Sequence, residues 1–473
     1  MDPGRGLCPP RPGGRRWLGS RALGVLVLIP ALAGSLPAWA GGVQLVERGV
    51  RALGRGGAAI VGADDVNTAY LNPAGLLRLS GLTVSVDSSL IDFAVHHTRT
   101  PDPVGGEPGC CDEARSHIDY LNPSAGVAYT PPGGRWAAAF SVFGPYAGAV
   151  KFDADGAARY AIVNQANALV YAQATGAYRL HDTLWLGLGL QLRQFRMFQQ
   201  LAVSVYPGFL GTPEDPQFDA LLDIRVDDWF SPGGVAGLIF RPRDWLEIGL
   251  SYQTPFDVDG VGSMRSTIPG HYLFADVAQR GDQVRLQTRL PDILRLGVRY
   301  RQPERFDLEL AAVWERWSDH TTITATPQGE VLFTGVPGIG EYRIRQIAVE
   351  DYFQDTLSLR LGGELRLRPD GLRLRAGVCW ENATVPDSSV SVGAFDAAKL
   401  GIGLGLTAPL GPWELDAGFM HLFLADRHIT SSTRRQINPL YPGGDPLEGP
   451  TVVGNGSYSG RLDVLSLGFT RRW

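Results

Sequence analysis

Few residues in this 473-residue chain have the type and spacing that chemistry asks for. Its eight histidines, His96, His97, His117, His181, His271, His320, His421 and His428, are scattered. A lipid-acting enzyme would need a Ser or Asp nucleophile within reach of one of them. None stands in a recognisable triad or metal-ligand spacing, and His96-His97 reads as a solvated pair. No metal or cofactor site follows. Of the four cysteines, Cys8 lies near the start. Cys110 and Cys111 are open to a vicinal disulfide or two free thiols, and Cys379 reads as a small wall residue; this is no disulfide framework. What the chain has in quantity is arginine, with Lys151 and Lys399 as its lysines. Arg295, Arg299, Arg360, Arg366, Arg373 and Arg375 fall on the same alternating positions as Glu247, Asp307, Glu309, Glu315, Glu364, Glu381, Glu414 and Asp416. Two readings stay open: an internal network of ion pairs, or arginines that receive a ligand carboxylate. Both are binding chemistry, not catalysis.

The elements that carry these residues are strands. From Gly81 onward the apolar pattern has period two, the mark of a strand with two different faces. Leu357, Leu359, Leu361, Leu365 and Leu367 alternate with Ser358, Arg360, Gly362, Glu364 and Arg366, and Leu400, Ile402, Leu404 and Leu406 alternate with glycines. Fourteen such segments are predicted, near 81–96, 123–131, 134–145, 161–178, 182–204, 228–241, 244–262, 284–302, 305–319, 354–368, 371–384, 396–409, 412–430 and 459–473. Tight turns with Pro, Gly or Asp signals, such as Arg179-Asp182 and Pro409-Pro412, alternate strictly with long connections. Short and long in strict order is the pattern of up-and-down strands with periplasmic turns and external loops. The last strand ends on Trp473 and carries Leu465, Leu467 and Phe469 on one face, which suits recognition by the barrel insertion machinery.

Ala22 to Ala40 is apolar, follows Arg15, Arg16 and Arg21, and ends in Ala38-Trp39-Ala40. That is a signal peptide over 1–40. Those residues hold five of the 43 basic and one of the 48 acidic residues, so the remainder carries a net charge near −9. An acidic chain argues against nucleic acid as a partner. An exported chain with no further long apolar run meets a membrane as a closed barrel, since lipid leaves no open sheet edge satisfied. The predicted fold is therefore all-β, a 14-stranded antiparallel transmembrane β-barrel over 81–473. Such a barrel is wider than its wall side chains fill. Residues 41–80 do not alternate, are Gly-rich, and include Asn72-Pro73, a cap followed by proline. They are the expected plug inside the lumen.

The stretch Gly57 to Leu76, with small residues, the acidic pair Asp64 and Asp65, and Asn72-Pro73-Ala74 before the first strand, resembles the start of the FadL/TodX-type outer-membrane transporters. Leu290-Pro291-Asp292-Ile293-Leu294-Arg295-Leu296-Gly297-Val298, Trp314-Glu315-Arg316-Trp317-Ser318, Leu374 to Val378 and Phe143-Gly144-Pro145 agree with later strands of that family. The resemblance implies passive uptake of long-chain fatty acids or other hydrophobic small molecules such as hydrocarbons, in an outer-membrane lipid setting, without catalysis. It implies capture on external loops, a pocket in the barrel, a moving plug, and sideways release at a third-strand kink, here Gly144 and Pro145. A greasy ligand gains about 0.8 kcal/mol per buried CH₂, so an apolar pocket suits it better than a watery pore. The expected ligand pocket holds Arg193, Phe195 and Met197 on the inward parity of the fifth strand. Arg196 and Phe198 join them only if a bulge shifts that parity. The stretch Asp319 to Thr324 lacks the basic residue that some fatty-acid transporters place there, which leaves room for a neutral substrate. The alternatives are a general porin and a lipid-acting outer-membrane enzyme.

Overall fold

The computed structural model describes residues 49–102, 113–145, 147–302, 305–367, 371–441 and 449–473. The expected signal peptide, the first residues of the expected plug, and Cys110-Cys111 lie outside the described residues.

The strand segments in chain order are β1 (Gly81–Arg99), β2 (Glu113–Thr130), β3 (Trp136–Phe143), β4 (Ala147–Lys151), β5 (Asn164–His181), β6 (Leu184–Ser204), β7 (Asp219–Arg243) and β8 (Leu246–Gln253). There follow β9 (Phe256–Thr267), β10 (Ala278–Arg280), β11 (Gln283–Leu290), β12 (Ile293–Gln302), β13 (Phe306–Glu315), β14 (Thr322–Pro327), β15 (Leu332–Val336) and β16 (Gly340–Arg343). The rest are β17 (Ile347–Glu350), β18 (Thr356–Arg366), β19 (Arg373–Glu381), β20 (Lys399–Leu410), β21 (Trp413–Leu424), β22 (Arg427–Ile429) and β23 (Gly456–Arg472). Several are halves of one wall strand: β3 with β4, β8 with β9, β11 with β12, β13 with β14, β17 with β18, β21 with β22. Each wall strand is antiparallel to the next, and β23 returns to β1 with Thr83 opposite Arg472 and Arg99 opposite Gly456. The wall is a closed barrel of fourteen strands, with the last strand paired to the first. The segments β10, β15 and β16 form a separate three-stranded sheet in the external loops.

Leu357, Leu359, Leu361, Leu400, Ile402, Leu404, Leu465, Leu467 and Phe469 are exposed on the outer face, where lipid covers them. Tyr129, Trp136, Tyr178, Trp245, Tyr300, Phe306 and Trp473 are exposed near the short-turn end, as an aromatic girdle requires. The strands run further at the other end than alternation predicts. Residues 113–122 and 219–227, expected as loop, are strand. There the outward positions are Glu113, Arg115, His117 and Asp119, which meet water, so the hydrophobic alternation lapses while the hydrogen-bonded ladder continues.

The segment from residue 49 to residue 80 lies inside the barrel. It holds two short helices, α1 (Val50–Gly54) and α2 (Thr68–Leu71), and a 3₁₀ turn, Pro73–Arg78. Asn72 caps that turn, its side chain accepting from the Ala74 N–H at 3.2 Å, with Pro73 at the first position. Nearly every residue from 49 to 77 is buried. The segment fits because the wall beside it is bare. A Cβ at Gly362 or Gly377 would fall well inside van der Waals contact of the Arg55 carbonyl, and one at Gly187 would strike the backbone of Pro73 and Ala74. Gly377→Ala should therefore push α1 off the wall, at a cost on the order of 1–3 kcal/mol. The expected outcome is a larger ion conductance in planar bilayers with the barrel still closed, read as unchanged heat-modifiable migration in gels; conductance equal to the parent would show that the contact is slack.

Candidate functional site

Three arginines of the inner segment are held by carboxylates of the wall, and Arg51 also by Asp64 of the segment itself. Arg51 meets Asp64 at 2.8 Å, Glu414 at 2.6 Å and Asp416 at 3.1 Å. Arg55 meets Asp307 at 2.5 Å, and Arg78 meets Glu247 at 2.8 Å. Glu309 accepts from the backbone N–H groups of Val61 (2.9 Å) and Gly62 (2.7 Å). Buried charges cost several kcal/mol each unless paired, so these bonds hold only while the segment is seated. The inward charges of β12, β13, β18, β19 and β21 thus act largely as the ion-pair network, the first of the two readings of these positions.

The acidic pair divides its work. Asp64 joins Arg51 to Arg373 (3.3 Å), and its carboxyl is held well below the usual range. Burial alone would raise it; Arg51, Arg373, Arg375 and Arg472 outweigh that. Asp65 accepts from the Asn67 N–H at 2.9 Å. Its carboxyl is pushed up to about 7, by burial first and by Asp64, Asp87 and Asp416 after it, against Arg51. Asn72 is wholly buried, and its Nδ2 donates to the carbonyls of Leu238 (3.1 Å) and Leu250 (3.4 Å). One side chain so caps a turn and ties it to β7 and β8. Pro73 and Ala74 fill the wall beside Gly187 and Gly237.

The third wall strand breaks at the Gly144-Pro145 pair. The ladder between β2 and β3 ends at Ser124 opposite Phe143. Beyond it β4 pairs with β5, Ala147 opposite Ala168. Among the described residues no backbone ladder joins β4 to β2. Side chains bridge instead: Asn122 donates to the Gly144 carbonyl at 3.1 Å, and Ser116 Oγ accepts from the Lys151 N–H at 2.9 Å. Pro lacks the donor a ladder needs, and a side chain at 144 would crowd Asn122 and the Leu169 carbonyl. Behind the break stand aromatic rings, with Tyr70 of α2 5.0 Å from Phe143 and Tyr171 5.8 Å from Phe143.

Of the expected pocket residues, Arg193, Phe195 and Met197 are buried and face this interior. Arg196 and Phe198 do not join them. The one-residue bulge at this level lies in β7, at Trp229-Phe230, so the parity of β6 is unbroken. Arg196 points outward, pairs with Asp227 at 2.7 Å and stacks over Trp229 at 5.5 Å. Arg193 is committed to the protein: it donates to Gln191 Oε1, to the Pro255 carbonyl (2.6 Å), and to the carbonyl and hydroxyl of Thr254, between the rings of Tyr171 and Phe256. It shapes the aromatic wall more than it offers a free hand to an anion.

Sequence reasoning missed the external cavity. It measures about 480 Å³ and is lined by Val203, Leu222, Met264, Phe274, Phe333 and Ile344 among others. That is the size of a small-molecule site. Its residues come from the ends of β6, β7 and β9 and from the loops bearing β15–β17, where no periodic pattern announces a face. Met264 also belongs to the buried apolar cluster that contains Tyr70, Phe143, Tyr171, Phe195 and Met197, and Leu222 and Ile344 pack against that cluster.

The family of outer membrane protein transport proteins (OMPP1/FadL/TodX) matches residues 31–453 by its sequence profile. No curated protein sequence matches the chain. Among solved structures, a Pseudomonas aeruginosa FadL homologue superposes with a TM-score of 0.74 at 17% identity, covering 92% of this chain and all of the other. The Ralstonia pickettii toluene transporter TbuX gives 0.62 at 14%, covering 91% of this chain and 99% of its own. The P. putida toluene transporter TodX gives 0.61 at 13%, over the same shares. These likenesses concern the fold.

The two carboxyls set opposite pH dependences for the seated segment. Asp65, raised in the folded state, contributes stability that is full below the ordinary carboxylate pKa near 4 and is lost as pH rises through about 7. Asp64, depressed, contributes stability that is present above that ordinary value and is lost as pH falls through its lowered one. Hydrogen-exchange protection factors of residues 49–80 should therefore be largest near pH 4–5 and decline toward pH 8. Asp65→Asn keeps the acceptor for Asn67 and should flatten the neutral limb; an unchanged profile would remove Asp65 as its source.

Proposed function

The chain belongs to the OMPP1/FadL/TodX family of outer membrane protein transport proteins, and we propose that it passes long-chain fatty acids or other hydrophobic small molecules inward along an apolar path that leaves the barrel sideways. Its fold is that of an outer-membrane transporter of hydrophobic compounds. One observation carries the proposed route: a single buried apolar cluster runs from the external cavity, through Met264 and the adjoining Leu222, to the rings of Tyr171, Phe143 and Tyr70 beside the strand break. A molecule captured at the cavity stays out of water at each step, gaining about 25 cal/mol per Å² of apolar surface covered. The inner segment bars a straight course to the periplasm, so the gap between β2 and β4 is the exit that keeps the molecule in an apolar medium. The saturated guanidinium of Arg193 favours an uncharged body over a carboxylate as the feature recognised there. In this reading residues 1–40 are the removed leader, 41–80 the plug and 81–473 the barrel.

The test is uptake of labelled oleate and toluene by cells expressing the chain, against cells lacking it and against a deletion of residues 41–78. Uptake above the empty cells with small conductance is expected, and a large steady conductance in the parent would make it a porin instead. The exit is tested separately. Ser116→Cys with Lys151→Cys, in a background with Cys110 and Cys111 replaced by Ser, places a disulfide across the gap. Oxidation should cut uptake at least tenfold and reductant should restore it. Undiminished uptake with the bridge formed would rule out the sideways exit.

A further inference from the structure

At the short-turn end of the barrel, five arginines converge on one glutamate and one indole. Arg179 on β5, Arg241 on β7, and Arg299 and Arg301 on β12 all take inward positions there, and Arg78 ends the 3₁₀ turn just above them. Glu247 receives Arg78 at 2.8 Å, Arg241 and Arg299 at 3.1 Å, and Arg301 at 3.6 Å. Its side chain is fully buried by them. Trp185, 3% exposed, lies among the guanidiniums of Arg78 (5.4 Å), Arg179 (5.4 Å) and Arg241 (4.7 Å).

The charge does not balance. The neighbouring carboxylate, Asp307, is shared between Arg299 (2.7 Å) and Arg55 (2.5 Å), and Glu309 serves Arg55 and the backbone. Among the described residues Arg179 forms no ion pair with a carboxylate. Five guanidiniums therefore face Glu247 and a half share of Asp307. Donors are also left over: Nε of Arg78, Arg179 and Arg299, and Nε1 of Trp185, are buried with no acceptor among the described residues. A cation–π contact relieves about 0.5–2 kcal/mol and supplies no acceptor for an N–H. Burial first, with Arg299 and Arg241 beside it, holds the Arg78 guanidinium below the ordinary arginine range against the pull of Glu247. An anionic group with several acceptor oxygens eases both deficits, and the arginine fork matches a phosphoryl group two bonds at a time.

We propose that this cluster is a binding site for a phosphate-type oxyanion at the periplasmic mouth of the barrel, with Arg179, Arg241 and Arg301 as its ligand-facing residues. The anion is either free phosphate or the phosphodiester of an inner-leaflet phospholipid, and the site is independent of what the barrel carries.

Calorimetry on the full chain in neutral detergent, with inorganic phosphate and with dihexanoyl phosphatidylglycerol as separate titrants, reads the site directly. Saturable binding of at least one is expected, falling tenfold or more in Arg179→Gln/Arg241→Gln. Comparable affinities assign free phosphate, and a tenfold preference for the lipid assigns the headgroup. Heat-modifiable migration in gels checks that the variant barrel is closed. Glu247→Gln removes the competing carboxylate and should tighten binding several-fold, a gain that a purely structural cluster would not show. No saturable binding by the parent, equal binding by the double variant, or binding of dodecanoate without phosphate would each overturn the proposal.

Discussion

The lumen is organised by a contact between two backbones. Wall strands facing α1 and the Asn72 turn carry glycine at Gly187, Gly237, Gly362, Gly377 and Gly403, and the inner segment rests on those positions. A wall of ordinary side chains would hold it several ångströms away. Two consequences follow. Backbone groups of the segment come within reach of wall side chains, so Glu309 takes the N–H groups of Val61 and Gly62 and Ser251 donates to the Leu71 carbonyl at 2.7 Å. The charged side chains flanking the bare patches are also brought onto Arg51, Arg55 and Arg78, in addition to the pairs they make with one another.

That second consequence makes the seating cooperative. Removing the segment strands Asp416, Glu414, Asp307 and Glu247 with fewer cations, in a space that wall side chains alone do not fill. Breaking one buried pair by deleting a partner costs about 3–5 kcal/mol. Seating is thus steep in energy at the ionic contacts, while the apolar contacts of α2 with Phe143 and the strand break are of the kind a greasy guest replaces at little cost. The segment is held by ion pairs at one side and by apolar contacts at the other.

How much of this is readable from the sequence follows from what each signal depends on. Leucine alternation in β18, β19 and β20 exists because one face meets lipid, and there strand number and parity are legible. It vanishes where the outward face meets water instead of lipid, which hides the outer parts of β2 and β7. The Gly401-Gly403-Gly405 row is visible, but a bare wall position does not say what lies on it. Asn72-Pro73 declares its turn because a cap and a proline are local chemistry. The inward turn of Arg193 follows from parity, yet its saturation by Thr254 and Pro255 comes from a segment some sixty residues on. Arg196 and Phe198 depend on which strand of a pair carries the extra residue, and that is settled by the partner β7.

The break at Gly144-Pro145 shows why a closed barrel can tolerate a breach. A free strand edge in lipid is costly because each unpaired N–H and C=O loses its water without replacement. Here the cost is met locally: proline removes one donor, Asn122 satisfies the Gly144 carbonyl, and Ser116 satisfies the Lys151 N–H. These side-chain bonds hold β2 and β4 side by side without the ladder that would lock them. Parting them gives up side-chain contacts such as these, where parting β1 from β2 would sacrifice a ladder that runs from Gly81 to Thr98. The weakest seam of the wall therefore coincides with the inner end of the apolar cluster, and the same seam is where α2 presents Tyr70.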